Sequence, residues 1–266
     1  MKKTVLCHFY NEEWLLPFWL KHHRQIFDHG IMIDYNSTDR SVEIIREICP
    51  TWEIHQSSNT TFQNPSSIDR EVLNYEAPLE GWRICLNVPE FLIGNYNRLE
   101  NTATNVRHYI GQYMFVDMEH QGEPELLDAN QPIYEQRHWG YGIVTEFAGL
   151  QSHGSVKRPP RSIHNYAAPY PTVGRHFWKE KHSFEDLVIF YYGFGSIEEN
   201  SLKRRLQIQT KFSTPPKGTA PGSHHVFTKE QLLEKFRLEQ QLLSRDLTAE
   251  IKPIIALHKQ WVDNKQ

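Results

Sequence analysis

TVLCHFYNEEWLLPFWLKHH, residues 4–23, followed by GIMIDYNSTDRSVEII, residues 30–45, decides the fold of this chain. Residues 4–9 form a continuous apolar run, which is typical of a strand buried on both faces. Residues 12–27 place apolar side chains at helical spacing, and Pro17 is tolerated there only near the first turn. The stretch therefore begins with a strand and then a helix.

The same order repeats in the second part of the stretch. Residues 31–34 predict a second strand, residues 40–48 predict a second helix that Ser37 to Asp39 can cap, and residues 52–55 predict a third strand. Such alternation favours a mainly parallel, doubly wound α/β sheet, in which ligands bind at the carboxyl ends of the strands. We therefore expect the binding site directly after the first two strands.

Length and charge limit the classes of function. The chain has 266 residues, enough for one large α/β domain with an appendage, and its formal charge is −3 with 29 basic and 32 acidic residues. Because these charges are well mixed, no broad positive field is available for nucleic acid. We expect no nucleic-acid partner.

The cysteines and the apolar segments indicate the compartment. The three cysteines form no Cys-x-x-Cys pair, and Cys7 and Cys85 lie inside apolar runs, so we expect reduced thiols in the core. The N-terminal apolar run is too short for a signal peptide, and no run of about 18 apolar residues occurs. The sequence predicts a cytoplasmic protein, with peripheral contact to a membrane as an alternative.

Polar residues follow both of the first two predicted strands. Asn11 and Glu12 come after the first strand, and Asp34, Ser37 and Asp39 come at and after the end of the second. Short polar side chains beside the free N–H groups of helix starts can hold the base, ribose and phosphates of a nucleotide. The alternative is that they serve only as turns and helix caps.

Taken together, the two loops resemble a known family. The Asn-Glu, Leu-Pro and Trp-Leu pairs and the paired-histidine helix, followed by Asp-Tyr-Asn-Ser-Thr-Asp, are similar to the start of a family 2-type glycosyltransferase of the GT-A fold, in its bacterial and viral branch. The resemblance covers residues 3–100 well and residues 143–212 loosely, and residues 101–142 match nothing. It implies a GT-A-like domain over residues 1–225 that binds a nucleotide-sugar donor. The implied donor site comprises Asn11, Glu12, Asp34, Ser37, Asp39, Asn87, Lys157 and Arg158.

The chain departs from this family at GWRICLNVPEFLIG, residues 81–94. The stretch resembles the central strand that in the family runs out into an Asp-x-Asp pair, whose carboxylates hold a divalent metal ion at the diphosphate. Here Asn87 and Pro89 stand at the two aspartate positions, and Glu90 is the only carboxylate left nearby. Because proline has no side-chain oxygen, the usual carboxylate clamp cannot form.

Three interpretations of this departure remain open. The first is a metal-free transferase in which basic groups stabilise the departing phosphate. The second is a rebuilt Mn²⁺ or Mg²⁺ site that uses Asn87, Glu90 and either His224 or His225. The third is a catalytically inactive homologue that binds a sugar nucleotide or glycan as a scaffold. The candidates for the basic groups are Lys157, Arg158, Arg161, Lys203, Arg204 and Arg205.

Transfer with inversion also requires a general base for the acceptor hydroxyl. Glu146 is the preferred candidate because its strand resembles one that borders the acceptor side, and Glu90 is a second candidate catalytic carboxylate. Surface and strand-end roles are the alternative for these groups. The other carboxylates considered for the base are Asp117, Glu119, Asp128 and Glu135.

Residues 226–266 form a C-terminal helical extension in this interpretation. Apolar residues at helical spacing predict one long amphipathic helix, capped by Thr228, and then a shorter one around Pro253. We expect the extension to pack back on the domain, with a homodimer interface or a peripheral membrane contact as alternatives.

The functional hypothesis is transfer of a sugar from a nucleotide-sugar donor to a saccharide or lipid-linked acceptor hydroxyl. We expect inversion and metal-independent catalysis. The main alternative is the inactive homologue. A nucleotidyltransferase is a remoter alternative, because its glycine-rich, lysine-bearing first loop is missing.

Overall fold

The computed structural model describes residues 1–100, 103, 105–118, 126–142, 160–167, 174–175, 186–215, 225–242 and 244–265. Within these ranges the strands and helices alternate at the start of the chain and separate later. The strands are β1 Lys3–Phe9, β2 His29–Asp34, β3 Glu53–Gln56, β4 Trp82–Cys85, β5 Glu90–Gly94, β6 Arg107–Ile110, β7 Gln112–Val116, β8 Trp139–Tyr141, β9 Arg161–His164, β10 Leu187–Phe194 and β11 Arg245–Asp246. The helices are α1 Leu16–His23, α2 Ser41–Ile48, α3 Pro65–Glu76, α4 Glu199–Leu206, α5 Lys229–Leu242 and α6 Thr248–Lys265.

The first sheet has the order β3-β2-β1-β4-β9-β6. β1 pairs in parallel with both β2 and β4, and β2 pairs in parallel with β3. β9 runs antiparallel to its two neighbours. The parallel half of this sheet is the one that the alternating pattern predicts.

Helices cover both faces of the first sheet. Alternate residues of β1 point to opposite faces. Val5 and Cys7 belong to the same buried cluster as α1 and α2, whereas Leu6 packs with Ile68 and Val72 of α3. The sheet is therefore doubly wound, and the predicted doubly wound α/β fold class is confirmed. Cys7, Cys49 and Cys85 are buried free thiols.

Residues 81–94 divide between two sheets. β4 ends at Cys85. In the turn that follows, Glu90 N donates to Asn87 O at 2.9 Å, and β5 then pairs antiparallel with β10. Proline cannot donate a ladder hydrogen bond, which explains the break at Pro89. The strand that runs out into a loop at Asn87 is the expected one, whereas β5 was not expected and belongs to a second sheet of order β11-β8-β7-β10-β5.

The first helix is shorter than the predicted range of residues 12–27. Glu12 O accepts hydrogen bonds from Leu15 N at 3.0 Å and from Leu16 N at 2.9 Å, so residues 12–15 form turns before α1 begins. Pro17 lies in the first turn of α1, as expected. The turns give the loop after β1 a fixed path.

The C-terminal helices differ from the expected order of lengths. α5 has 14 residues and α6, which contains Pro253, has 18, so the prediction of a shorter second helix is wrong. Burial of Ile251, Trp261 and Val262 in the main core explains why α6 continues past the proline. Thr228 and Gln231 exchange backbone-to-side-chain hydrogen bonds of 2.9 and 3.2 Å, which confirms the predicted cap of α5.

A histidine cluster lies at the contact between α1 and α6. The ring of His22 lies 4.7 Å from that of His23 and 5.0 Å from that of His258, and His22 Nε2 donates to Leu92 O at 2.8 Å. Burial lowers the pKa of His22 well below its usual range, the pKa of His23 to about 3 and that of His258 to about 4. All three rings are therefore neutral core groups near pH 7.

Among the described helices, none is long and apolar enough to cross a membrane.

Candidate functional site

Parallel strands β1, β2 and β4 deliver their carboxyl ends to one edge of the first sheet. Phe9, the last residue of β1, is in register with Asp34, the last residue of β2. α4 and the 3₁₀ helix Gln207–Lys211 run across the loops that follow these strands, and Phe62 N donates to Lys211 O at 2.8 Å. We call this edge, with its covering helices, the strand-end site.

Asn11 joins the loop after β1 to the loop after β2. Its backbone N donates to Ser37 Oγ at 3.0 Å, its Oδ1 accepts from Thr38 N at 2.7 Å, and its Nδ2 donates to Thr38 Oγ1 at 3.2 Å. The backbone of Asn11 has φ of 49°, a left-handed conformation that asparagine tolerates better than most residues. The two loops are therefore held in one arrangement.

The predicted carboxylates also fix these loops. Asp39 accepts hydrogen bonds from Glu13 N at 3.0 Å and from Ser41 N at 2.9 Å, and Asp34 Oδ1 accepts from Ser37 N at 2.9 Å. The turn and cap interpretation thus describes their contacts within the chain. The structure brings the predicted donor residues of these two loops together, and whether they contact a donor stays a prediction.

Gln207 completes the same arrangement from the far end of the sequence. Its Nε2 donates to Asn11 O at 2.6 Å, and its Oε1 accepts from Asn11 Nδ2 at 3.0 Å. Sequence reasoning missed this residue, because a single glutamine after a basic helix carries no local signal of a contact with the first loop.

Glu12 is tied to α4 by a buried ion pair. Arg204 Nη1 donates to the two carboxylate oxygens of Glu12 at 2.9 and 3.1 Å, and Glu12 N donates to Ser41 Oγ at 2.8 Å. Burial raises the pKa of the Glu12 carboxyl, and the charge of Arg204 offsets this only in part. Glu12 and Arg204, which are both candidates from the sequence, thus form an ion pair with each other.

Asn87, at the first substituted aspartate position, lies near a guanidinium group. Arg175 Nη2 is 3.5 Å from Asn87 Oδ1 and 3.2 Å from His8 Nδ1, and Arg175 Nη1 donates to Asp69 Oδ1 at 2.7 Å. Arg175 and Asp69 are buried, and neither was a sequence candidate. The sequence signal for Arg175 is weak because this residue lies in a segment without an assigned motif.

Glu90, which follows the second substituted position, also pairs with an arginine. Arg161 Nε and Nη2 donate to Glu90 Oε1 at 3.0 and 2.8 Å, and Asn87 N donates to Glu90 Oε2 at 2.7 Å. Both residues are buried. The carboxylate of Glu90 therefore braces the turn between β4 and β5, with both oxygens hydrogen-bonded.

The metal-binding interpretation depends on Asn87, Glu90 and a late histidine. The charge of His225 contributes, after burial, Arg175 and Arg161, to lowering the pKa of His8. Within the described ranges, no group of three or more His, Cys, Asp or Glu side chains is arranged to hold a metal ion. His224 lies outside those ranges, so the metal site stays a prediction.

Aromatic rings line one side of the strand-end site. Phe62 lies 6.4 Å from Tyr10 and 5.0 Å from Tyr35 between ring centroids, and Lys211 Nζ lies 4.1 Å from the Tyr10 ring. Tyr35 is further fixed by a 3.3 Å hydrogen bond to Glu71 Oε2. Flat faces beside a cation suit a heterocyclic base or a sugar ring.

Some of the other candidates are placed by the structure, and the rest lie outside the described residues. Arg205 packs its guanidinium over Phe194 at 4.9 Å, and Lys203 is exposed. Asp117 Oδ2 accepts from Ile197 N at 2.9 Å, which is a structural contact. Four site candidates and one of the alternative bases lie outside the described residues: Glu146, Lys157, Arg158, His224 and Glu119.

No family model matches this chain, and no curated protein matches it in sequence. Among solved structures it is similar to S. aureus TarS in complex with UDP-GlcNAc, at 14% identity and a TM-score of 0.41, over 99% of this chain and 79% of that chain. For TarS in complex with UDP the identity is 14% and the TM-score is 0.38, over 98% of this chain and 77% of that chain. For HddC from Yersinia pseudotuberculosis the identity is 11% and the TM-score is 0.36, over 77% of this chain and 98% of that chain. Such low values assign no activity, which must be argued from the residues of this chain.

Proposed function

We propose that this chain is a glycosyltransferase that binds a nucleotide-sugar donor at the strand-end site. The observation that carries the proposal is the arrangement around Asn11, whose contacts with Ser37, Thr38 and Gln207 join two loops and a helix into one preformed polar edge. Ligands of doubly wound sheets bind at this edge. The family resemblance of these same loops supports a sugar nucleotide as the ligand.

The proposed reaction is a single displacement. The bond between the anomeric carbon of the sugar and the donor phosphate breaks, and a bond from that carbon to an acceptor hydroxyl oxygen forms with inversion. The nucleoside phosphate departs with the electron pair, and a general base takes the hydroxyl proton. Glu146 stays the candidate for this base, and the acceptor is a saccharide or a lipid-linked hydroxyl.

We further propose that the transfer proceeds without a metal ion. Both oxygens of Glu90 are engaged by Arg161 and by the amide of Asn87, and Pro89 offers no side-chain oxygen. Guanidinium groups near the strand ends can stabilise departing negative charge in place of a cation. Catalysis belongs to residues 1–225 in this proposal, with residues 226–266 as an extension packed on them.

A thermal-shift panel of UDP-, GDP-, CMP- and dTDP-sugars, each with Mn²⁺ and with EDTA, tests the donor site. We expect one donor to raise the melting temperature, since ligands that bind only the folded state stabilise it. Asp34→Ala and Asp39→Ala should lose this increase while remaining folded, and Asp263→Ala on the exposed side of α6 should keep it. No response to any donor would contradict the proposal.

The second candidate function is a catalytically inactive donor-binding homologue. It is favoured by the carboxylates of Glu12 and Glu90, which form buried ion pairs and so are unsuited to act as bases. The two functions differ in one measurement, the release of nucleoside phosphate from the stabilising donor with a panel of saccharide and lipid-linked acceptors. Donor binding with neither transfer nor hydrolysis across the panel would favour the inactive homologue.

A further inference from the structure

We propose that Arg175 binds the diphosphate of the donor, so that a guanidinium group takes the position that a metal ion has in related transferases. The inference rests on the proposed function, because it requires a sugar nucleotide at the strand-end site. It assigns a ligand to a residue that the sequence motifs do not identify.

The position of Arg175 is the first argument. Its Nη2 lies 3.2 Å from His8 Nδ1, near the carboxyl end of β1, and 3.5 Å from Asn87 Oδ1, just after β4. These two strands are adjacent and parallel. The guanidinium group therefore lies beside the substituted aspartate position, where a diphosphate would need positive charge.

The backbone of Arg175 gives the second argument. Its φ is 61°, a left-handed conformation that residues other than glycine, asparagine and aspartate seldom adopt. The turn is held by Gly174 N, which donates to Asp69 Oδ2 at 2.8 Å, and by Arg161 Nη1, which donates to Gly174 O at 2.5 Å. Strained backbone that its surroundings maintain in this way is concentrated at functional sites.

The number of arginines gives the third argument. Arg175 pairs with Asp69 at 2.7 Å, and Arg161 pairs with Glu90 at 2.8 Å. The loss of two aspartates at Asn87 and Pro89 is thus accompanied by two guanidinium groups, each with its own carboxylate.

The two arginines have different roles. Arg161 directs Nε and Nη2 to Glu90 and Nη1 to Gly174 O, so it is a positioning residue for the turn that carries Arg175. Arg175 meets Asn87 at the longer distance of 3.5 Å, a contact that a phosphate oxygen can replace. A planar guanidinium group can then bond phosphate through two parallel N–H groups.

His8 orients the guanidinium group of Arg175. Because Nη2 of Arg175 can only donate, Nδ1 of His8 is the acceptor and the ring proton is on Nε2. Burial lowers the pKa of His8 well below its usual range, and Arg175, Arg161 and His225 lower it further. A neutral His8 holds the guanidinium group without repelling it.

Isothermal titration with ligands of graded phosphate content tests the proposal. The probes are uridine, UMP and UDP, with guanosine, GMP and GDP as a second series, all in EDTA. We expect the native chain to bind one diphosphate more tightly than its nucleoside. In Arg175→Gln that diphosphate should bind about tenfold to a hundredfold more weakly while nucleoside affinity is kept, as expected for the loss of a hydrogen bond to a charged group.

Three further variants separate binding from folding. Arg175→Gln combined with Asp69→Asn removes both members of the buried pair, so it keeps the charge balance if the single variant is unstable. Arg237→Gln removes an exposed guanidinium group on α5 and should bind as the native chain does. Arg175→Lys keeps the charge but not the planar fork, and should recover only part of the affinity.

The outcomes distinguish this inference from the proposed function. If the native chain binds no nucleoside and no nucleotide, the proposed function fails. If a diphosphate binds and keeps its preference over the nucleoside in folded Arg175→Gln and in the double variant, only the role of Arg175 is overturned. A preference lost in both variants and kept in Arg237→Gln supports it.

Discussion

The guanidinium group of Arg204 donates from Nη1 to both carboxylate oxygens of Glu12, at 2.9 and 3.1 Å. The pair joins α4 to the loop after β1, between residues that are 192 positions apart in the sequence. Both side chains are largely buried, so the interaction is screened much less than that of a surface pair. The strand-end site therefore depends on a contact between the first loop and a late helix.

Removing one partner of this pair should strongly destabilise the fold. Arg204→Met leaves the Glu12 carboxylate buried without its counter-ion, and we expect a loss of about 3–5 kcal/mol in the free energy of unfolding. Urea denaturation measures this loss. Arg204→Met combined with Glu12→Gln should lose less, because no uncompensated charge remains. The exposed pair Arg40 and Glu47 is the control, and Arg40→Met should cost about 0–1 kcal/mol.

Acid should destabilise the chain through the histidine cluster of His22, His23 and His258. Burial lowers the pKa of all three in the folded state, so below about pH 6.5 the unfolded chain binds protons that the folded chain does not. Stability is then present above that pH and is lost as the pH falls towards about 4. The three groups together contribute a loss on the order of 4 kcal/mol between about pH 7.5 and pH 5.5.

Urea denaturation of His258→Gln over the same pH range checks this prediction. Between pH 7.5 and pH 5.5 the variant should lose about 1.4 kcal/mol less than the native chain, which is about one third of the loss expected from this cluster. Gln260→Ala, on the exposed side of the same helix, should keep the native pH dependence. An unchanged slope in His258→Gln would contradict the prediction, because it would show that His258 takes up its proton equally well in the folded and unfolded chains.

Chelation should not weaken donor binding. Because Glu90 is held by Arg161 and Pro89 has no side-chain oxygen, we expect the stabilising donor to give the same increase in melting temperature in EDTA as in Mn²⁺. The effect of each is measured at a fixed donor concentration. A response that appears only with Mn²⁺ would contradict the metal-free proposal and support a site built from Asn87, Glu90 and His224 or His225.

Gly30 should not tolerate a side chain. A Cβ atom at this position would lie 2.1 Å from Cε3 of Trp52, so Gly30→Ala forces the indole ring to move. We expect a loss of about 1–3 kcal/mol in the free energy of unfolding, as for other overpacked cores. The loss should be smaller in a Trp52→Phe background. Gly142→Ala, where the nearest atom would be 3.4 Å away, is the matched control and should be close to neutral.

The sequence predicts the first half of the fold well, because its signals are local. The apolar run of β1, the helical spacing of α1 and α2, and the Asp34 to Asp39 turn are each encoded within a few residues. The cap at Thr228 is likewise a local motif. Fold class and the edge that carries the candidate site follow from these patterns.

Contacts between distant residues could not be predicted in the same way. Asn11 and its partner Gln207 are 196 positions apart in the sequence, and His8 and its partner Arg175 are 167 positions apart. Such pairs depend on the path of the whole chain and leave no periodic signal. The same limit explains the missed second sheet, because β5 finds its partner in β10, nearly one hundred residues later.

The contacts of Asn11 with Gln207 and of Glu12 with Arg204 also set an order of events during synthesis. Residues up to about 100 leave the ribosome first and contain all of β1 to β4, since synthesis proceeds from the N-terminus. The loop after β1 then lacks its partners until α4 has left the exit tunnel. A nascent chain stalled before Glu199 would therefore contain the parallel strands but not the completed strand-end site.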